Sequence, residues 1–223
     1  VYKRGVLMVD HGVVADFPVP EIDPYLVNRA HDTFHVAPLT AADFTDSRPH
    51  AVIGMVNGEI TTTDGGYTDR IDVDYDILKI AVIERHKNTH HIGLGYIRGY
   101  GLKKGAVATS ISHDSHNIIV VGTNEEDMAF AANHIVRNHG GITVVESGEV
   151  KGDVLLAIAG IMSDDSLVNV NRDLEAAKAA AYALGVSDGI DPFMTLSFMA
   201  LPVIPSLRIT TRGVFDVTSQ RYV

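Results

Sequence analysis

A dense group of potentially reactive side chains occupies residues 112–117, where the sequence reads Ser-His-Asp-Ser-His-Asn between two short apolar runs. Polar groups beside buried strands must find hydrogen-bond partners or incur a desolvation cost. His113 and His116 are three residues apart, so a regular strand would place them on opposite faces. We therefore predict a loop or bulge at a sheet end, where His113, Asp114 and His116 bind an accessory metal ion or a ligand. The alternative is a polar turn whose side chains bond nearby backbone.

A second polar group, Glu84-Arg85-His86-Lys87, follows a long apolar run. One interpretation is a strand end that faces solvent. The other interpretation places Arg85 or His86 at a pocket, where it faces an anion or the ring nitrogens of a ligand. The spacing of these residues does not decide between the two.

The glycine-rich stretch 93–101 lacks the spacing of a dinucleotide-binding loop, because its third glycine comes one residue late. We predict instead that its glycines permit close approach of backbone segments or form bulges. The sequence contains neither a P-loop nor the G-x-S-x-G motif of serine hydrolases. These motifs therefore indicate neither a nucleotide-binding protein nor a serine hydrolase.

The elements that must position these groups are strands and helices without strict alternation. Apolar residues recur at helical spacing after residue 124 and again over residues 167–184, which predicts two main helices. The first is capped by Thr123 or Asn124 and the second by Ser163. Apolar runs bounded by turn signals such as Asn57-Gly58 and Asp64-Gly65-Gly66 predict strands. This mixture favours an α+β fold, a layered domain with a mixed or antiparallel β-sheet, over a doubly wound parallel sheet.

Three segments of the chain differ in composition. Residues 1–20 form the first segment, in which residues 2–17 predict a short β-hairpin that turns at Asp10-His11-Gly12. Prolines interrupt the next part, and residues 21–48 are predicted to be an extended connection with one helical turn near Tyr25. Residues 49–223 are predicted to form the α+β domain.

Composition bounds the possible functions. The formal net charge of −10 disfavours binding to nucleic acid, whose phosphate backbone is negatively charged. No apolar run approaches the roughly 20 residues that a membrane-spanning helix needs, so no membrane partner is expected. The absence of cysteine excludes disulfides and thiolate metal sites and fits the reducing cytosol, so a cytoplasmic location is expected.

Seven blocks of sequence carry a family resemblance when they are taken together and in order. They are Asp76–His86, Ile92–Gly95, Gly99–Ala106, Ser112–Ile118, Gly122–Met128, Ala159–Ser163 and Asp191–Phe198. In this order they resemble the C-terminal region of adenine deaminases of the amidohydrolase superfamily. The resemblance covers residues 50–217 closely, and residues 1–18 resemble the strands that follow the catalytic barrel in that family. It therefore implies that residues 1–20 belong to a small β-sandwich.

The resemblance implies that the intact protein is an adenine deaminase, a hydrolase that acts on the C–N bond of a cyclic amidine and forms hypoxanthine and ammonia. It also implies manganese or iron, held on a (β/α)8 barrel, whose bound hydroxide attacks the ring carbon. This chain has no His-x-His and lacks the alternation that such a barrel needs, so none of those ligands is carried over. Because the chain starts at Val1 rather than Met, we expect that the barrel is missing and that this part alone is inactive and binds no catalytic metal.

The polar groups that core packing does not explain are assigned to the mouth of the missing barrel. The candidates for substrate-proximal residues are Glu84, Arg85, His86, Ser115 and Asn117. The resemblance implies adenine as substrate, the barrel as partner and a homo-oligomer. The alternative function is a non-catalytic domain that caps the barrel and builds the oligomer interface, or that binds a small ligand.

Overall fold

Strands and helices are interspersed along the chain in the computed structural model, which describes residues 1–16, 18 and 20–223. The strands are β1 (Tyr2–Lys3), β2 (Val6–Leu7), β3 (Val9–Asp10), β4 (Val13–Val14), β5 (His50–Met55), β6 (Thr62–Thr68), β7 (Ile77–Ile83), β8 (Ile92–Arg98), β9 (Ala106–Thr109), β10 (Ile118–Gly122), β11 (Gly141–Glu146), β12 (Glu149–Leu155), β13 (Leu207–Thr210), β14 (Gly213–Asp216) and β15 (Arg221–Tyr222). The α-helices are α1 (Pro24–His31), α2 (Glu125–Arg137), α3 (Leu167–Ala183) and α4 (Pro192–Met199), and short 3-10 helices lie at Ala41–Phe44 and Val73–Tyr75. This mixture confirms the predicted α+β class.

An eight-stranded sheet organises these elements in the order β12-β11-β9-β10-β7-β8-β5-β6. The β5–β8 pair is parallel, and the other neighbouring pairs are antiparallel, so the sheet is mixed. The sequence 64–66, Asp-Gly-Gly, was predicted to be a turn and instead lies inside β6. Gly66 has a φ of +84°, and the register between β5 and β6 shifts nearby, so the turn signal is absorbed as a bulge.

Both faces of the sheet are covered, which explains the continuous apolar run of β7. Leu78, Ile80 and Val82 point into a core that also contains side chains of α3, α4 and the small sheet. Ala81 and Ile83 point to the opposite face, into a core that α2 completes. Each buried Leu, Ile or Val side chain contributes about 1.5–3 kcal/mol relative to an exposed one.

The two predicted main helices are α2 and α3. The Asn124 side chain accepts a hydrogen bond from the Asp127 amide at 2.7 Å and begins α2 as predicted. For α3 the predicted cap was wrong, because Ser166 accepts from the Asn169 amide at 3.2 Å while Ser163 accepts from Asp165. Among the described residues, no helix combines the length and apolarity that crossing a membrane requires.

A three-stranded sheet, β13-β14-β15, packs on the larger sheet near β8. A Cβ added to Gly93 would lie 1.9 Å from the Thr210 carbonyl oxygen, and one added to Gly95 would lie 2.5 Å from Val214 Cγ2. Side chains at these two positions would hold the sheets apart. The prediction that the glycine-rich stretch permits close backbone approach is confirmed.

The N-terminal residues form two small hairpins instead of the single predicted one. β1 pairs with β2 and β3 pairs with β4, with two-residue turns at Arg4-Gly5 and His11-Gly12 in which φ is positive at all four residues. The apolar run of residues 6–9 is divided between the two hairpins, because Met8 lies outside both β2 and β3. Phe17, the end of the predicted hairpin, lies outside the described residues. The proposed boundaries at residues 20 and 48 stay predictions.

Candidate functional site

The polar segment 112–117 is a loop that joins β9 to β10 at one end of the large sheet. The His116 amide donates to the Ser112 carbonyl at 2.6 Å, and the φ of His116 is +50°, so the segment closes into a tight turn. The His113 amide donates to the Ser197 carbonyl of α4 at 3.2 Å. The prediction of a loop at a sheet end is confirmed, and α4 holds that loop in place.

A cavity of about 330 Å³ lies beside this loop. Four residues named from the sequence contribute polar groups to its wall: His113, Asp114, Ser115 and Asn117. The remaining lining residues are Val82, Ala200, Leu201, Pro202, Val203, Ile209, Thr210 and Thr211. A mostly apolar wall with a few polar groups on one side is typical of small-molecule sites, whose volumes begin at about 300 Å³.

Asn117 is the one buried polar residue of that wall, with an exposed fraction of 8%. Its side-chain oxygen accepts a hydrogen bond from the Arg85 amide at 3.3 Å, which fixes the orientation of the carboxamide. Within the part of the chain that the structure describes, its NH2 group makes no hydrogen bond. Two N–H donors are therefore left to meet a ligand.

The segment Glu84–Thr89 is a turn organised by one carboxylate. The Glu84 oxygens accept hydrogen bonds from the amides of His86, Lys87 and Thr89 at 2.6–3.2 Å and from the Thr89 hydroxyl at 2.9 Å. Burial alone would raise the pKa of Glu84, but these hydrogen bonds hold it below its ordinary value. This geometry matches the interpretation of a strand end.

We expect Glu84→Gln to lower the free energy of unfolding by about 1–2 kcal/mol at neutral pH, because an amide replaces a carboxylate that accepts several charge-assisted hydrogen bonds. The folded-state pKa lies below the ordinary value of 4.5, so this stabilisation is complete above that value and is lost as the pH falls through the folded-state pKa. Urea unfolding at neutral and acidic pH measures both effects. Glu59→Gln is the control at an exposed site, and an equal loss at every pH would contradict the explanation.

Arg85 and His86 lie beside the loop but outside the cavity wall. Arg85 is 2% exposed, and its guanidinium donates to backbone carbonyls. His86 is exposed, and its Nε2 lies 2.8 Å from the Ser115 carbonyl oxygen. Of the five candidates for substrate contact, the structure brings Ser115 and Asn117 to the cavity and places Glu84, Arg85 and His86 behind or beside the loop.

The proposed accessory metal ligands do not form a chelating group by themselves. His113 Nδ1 and Asp114 Oδ1 are 4.0 Å apart. Burial, together with the charge of Arg85, lowers the pKa of His116. The described residues include no group of three or more His, Asp or Glu side chains placed to hold a metal ion. The residues present therefore do not fit a complete metal centre, and the accessory site stays a prediction.

Sequence reasoning missed the wall opposite the loop. It comprises residues 200–203, which follow α4, and residues 209–211 at the end of β13. The tail 191–205 is apolar in sequence, but Phe193, Leu196 and Met199 are buried in the core and form no exposed interaction face. The sequence does contain an indication of α4, because Asp191-Pro192 is typical of a helix start. The Asp191 side chain accepts hydrogen bonds from the Phe193 and Met194 amides at 3.0 and 2.9 Å.

Comparison with known proteins gives a consistent result. The family model of the adenine deaminase C-terminal domain matches residues 54–221. An adenine deaminase of Bacillus subtilis (strain 168) is 50% identical over 152 residues, which are 68% of this chain and 26% of that protein. An adenine deaminase of Listeria monocytogenes serovar 1/2a is 40% identical over 225 residues, covering 97% of this chain and 39% of the relative. Adenine deaminase 2 of Carboxydothermus hydrogenoformans is 39% identical over 229 residues, covering 98% and 40%. The chain thus spans 26–40% of the length of these relatives.

Proposed function

Because the chain belongs to the adenine deaminase C-terminal domain family, we propose that it is the C-terminal part of an enzyme that hydrolyses adenine to hypoxanthine and ammonia. In this reaction the oxygen of water bonds to the ring carbon that carries the amino group, the exocyclic C–N bond breaks, and the nitrogen leaves as ammonia. The relatives named adenine deaminase support the substrate. A cytoplasmic location stays a prediction.

The observation that carries this proposal is the cavity beside the 112–117 loop. Four of the eight residues that the sequence predicts as site candidates line it. Its volume of about 330 Å³ and its mostly apolar opposite wall suit a flat heteroaromatic ring with polar edges. In the intact enzyme this cavity would form one side of the active site.

Asn117 is the residue of this wall best suited to recognise adenine. The ring nitrogens of adenine accept hydrogen bonds, and carboxamide side chains pair well with adenine edges. Because the Asn117 oxygen is held by the Arg85 amide, its NH2 group is the part that faces a ligand. We propose that this group donates to a ring nitrogen of the bound base.

The variant Asn117→Asp tests this role in the intact enzyme. The aspartate retains an oxygen for the Arg85 amide but has no N–H donor, so we expect the KM for adenine to rise at least tenfold, since a lost hydrogen bond to a ligand costs about 1–3 kcal/mol. Steady-state ammonia release measures the change. The control is Asn133→Asp, because Asn133 donates to the Leu39 carbonyl at 2.7 Å in another part of the fold. If Asn117→Asp and Asn133→Asp have the same KM for adenine, Asn117 does not contact the substrate.

The rest of the catalytic apparatus is proposed to lie on a barrel outside this chain. That barrel would hold manganese or iron, which activates the attacking water when bound. The N-terminal hairpins support the contact with such a barrel, because Tyr2, Val6, Val13 and Val14 are each at least 60% exposed. Two-stranded hairpins are marginal alone and gain stability by packing their apolar side chains against a larger body.

A non-catalytic role in capping or oligomerisation is the second candidate function. One observation favours it: Leu167 and Val168, at the start of α3, are 84% and 78% exposed. Large apolar side chains at such exposure are typical of interaction surfaces when they are adjacent. A homo-oligomer that survives Leu167→Ser and Val168→Ser would argue against this surface as its interface.

A further inference from the structure

Arg85 connects three separated segments of the chain through its guanidinium. Nε donates to the His116 carbonyl, Nη1 donates to the Thr33 carbonyl at 2.9 Å and to the Thr33 hydroxyl at 3.2 Å, and Nη2 donates to the Ala159 carbonyl at 2.9 Å. The Cζ atom also lies 4.2 Å from the centre of the Phe34 ring. The planar fork of arginine is suited to such a set of acceptors, and a lysine ammonium is not.

Among the residues that the structure describes, no carboxylate bonds to this guanidinium. The neighbouring Glu84 uses its oxygens on the amides of His86, Lys87 and Thr89. Burial lowers the pKa of Arg85 to about 10, with the Glu84 charge acting in the opposite direction, so the side chain stays protonated at neutral pH. A buried cation is costly unless it is compensated. Here carbonyl dipoles and an aromatic face provide the compensation, which fixes the positions of the segments that supply them.

The backbone of Arg85 strengthens the same connection. Its amide donates to the Asn117 side-chain oxygen at 3.3 Å, and its carbonyl accepts from the His35 amide at 2.8 Å. Gly160 is required beside it, since a Cβ there would lie 2.8 Å from the Phe34 ring and 3.0 Å from Arg85 Nη2. One residue therefore contacts the connection near residue 33, the cavity loop and the segment after β12.

We propose that Arg85 is a positioning residue that fixes the 112–117 loop, and with it Asn117, relative to the connection that precedes the α+β domain. Its side chain does not touch the substrate. The effect of Arg85 on catalysis rests on the proposed function. Its effect on the mobility of the loop is independent of that function. A chain segment that packs against the residues before Thr33 would be linked mechanically to the cavity through this guanidinium.

The test uses a probe in the loop, because the chain has no cysteine of its own. Ser115→Cys places a unique thiol at an exposed loop position, where a nitroxide label reports backbone mobility by electron paramagnetic resonance. We expect Arg85→Lys to increase the mobility of the label. We expect Arg85→Ala to increase the mobility of the label as well. Added guanidinium ion, well below denaturing concentrations, is expected to reverse the increase in Arg85→Ala. In the intact enzyme, kcat of Arg85→Lys is expected to fall about 100-fold, because small misplacements of contacting groups have effects of that size.

Arg208→Lys is the matched control. Arg208 is also fully buried and donates to backbone carbonyls, those of Leu207 and Ile60, but not to the loop. Should Arg85→Lys fail to fold, Phe34→Leu removes the aromatic face while leaving every hydrogen bond donor, and the same increase in mobility is expected. Equal label mobility in the parent, Arg85→Lys and Phe34→Leu proteins would overturn the proposal. Increased mobility with unchanged turnover would support the restraint and overturn the placement of the loop at the active site.

Discussion

Expressed on its own, the 223-residue chain is expected to release no ammonia from adenine above the uncatalysed rate. Hydrolysis of an aromatic C–N bond needs a strongly activated water, which a bound metal ion supplies by lowering the pKa of that water. The described residues contain no group of three or more His, Asp or Glu side chains placed to hold such an ion. We therefore expect the isolated chain to lack all of the rate enhancement of the intact enzyme.

Ammonia release measured with an enzyme-coupled assay checks this expectation, and the intact protein that contains the same residues is the positive control. Metal analysis of the isolated chain should accompany the assay. One equivalent of manganese or iron that disappears in the double variant His113→Ala, His116→Ala would establish the accessory site. Adenine-dependent ammonia release by the purified chain, abolished by the same double variant, would refute the assignment of the catalytic centre to a barrel elsewhere.

The second large effect is expected at Gly93. In Gly93→Ala the new methyl group would lie 1.9 Å from the Thr210 carbonyl oxygen and 2.5 Å from the Gly213 amide nitrogen. Both neighbours are backbone atoms of the small sheet, so no side-chain rotation relieves the contact. We expect a loss of at least about 3 kcal/mol in the free energy of unfolding, at the upper end of overpacking effects.

Urea unfolding followed by circular dichroism measures this loss, because the chain has no tryptophan to report by fluorescence. Gly148→Ala is the control for the cost of a positive φ alone: its φ is +73° and a Cβ there meets no atom within 4 Å, so about 1 kcal/mol is expected. Gly93→Ala should also disturb the cavity, because Thr210 lines it. A loss no greater than that of Gly148→Ala would show that the two sheets separate at little cost.

Predictions from the sequence were correct where a local pattern alone determines the local structure. Asn124 caps α2, and the apolar run 77–83 is a strand buried on both faces. Predictions were wrong where tertiary contacts impose a different structure on a sequence that is typical of a turn. The Asp-Gly-Gly sequence at 64–66 is a turn signal, but its glycines lie in β6, where a Cβ on Gly65 would lie 2.9 Å from the Val52 carbonyl oxygen.

The candidate site was predictable only in part, for a similar reason. The residue types of the 112–117 loop identified polar groups that core packing does not explain, and four of them line the cavity. The sequence could not show that Arg85 folds back among carbonyls from residues 33, 116 and 159, because those segments are distant along the chain. A charge at a strand end looks the same in sequence whether it meets solvent, a ligand or backbone.

The parallel pairing of β5 with β8 sets an order of events during synthesis on the ribosome. β5 emerges with its hairpin partner β6, but its other edge pairs at Val52, Ile53 and Gly54 with residues 96–98, more than forty positions later. At typical translation speeds of about 5–20 residues per second, that edge is left open for seconds. An unpaired apolar strand edge attracts other chains. Slowing elongation over this interval should therefore increase co-translational aggregation and dependence on chaperones.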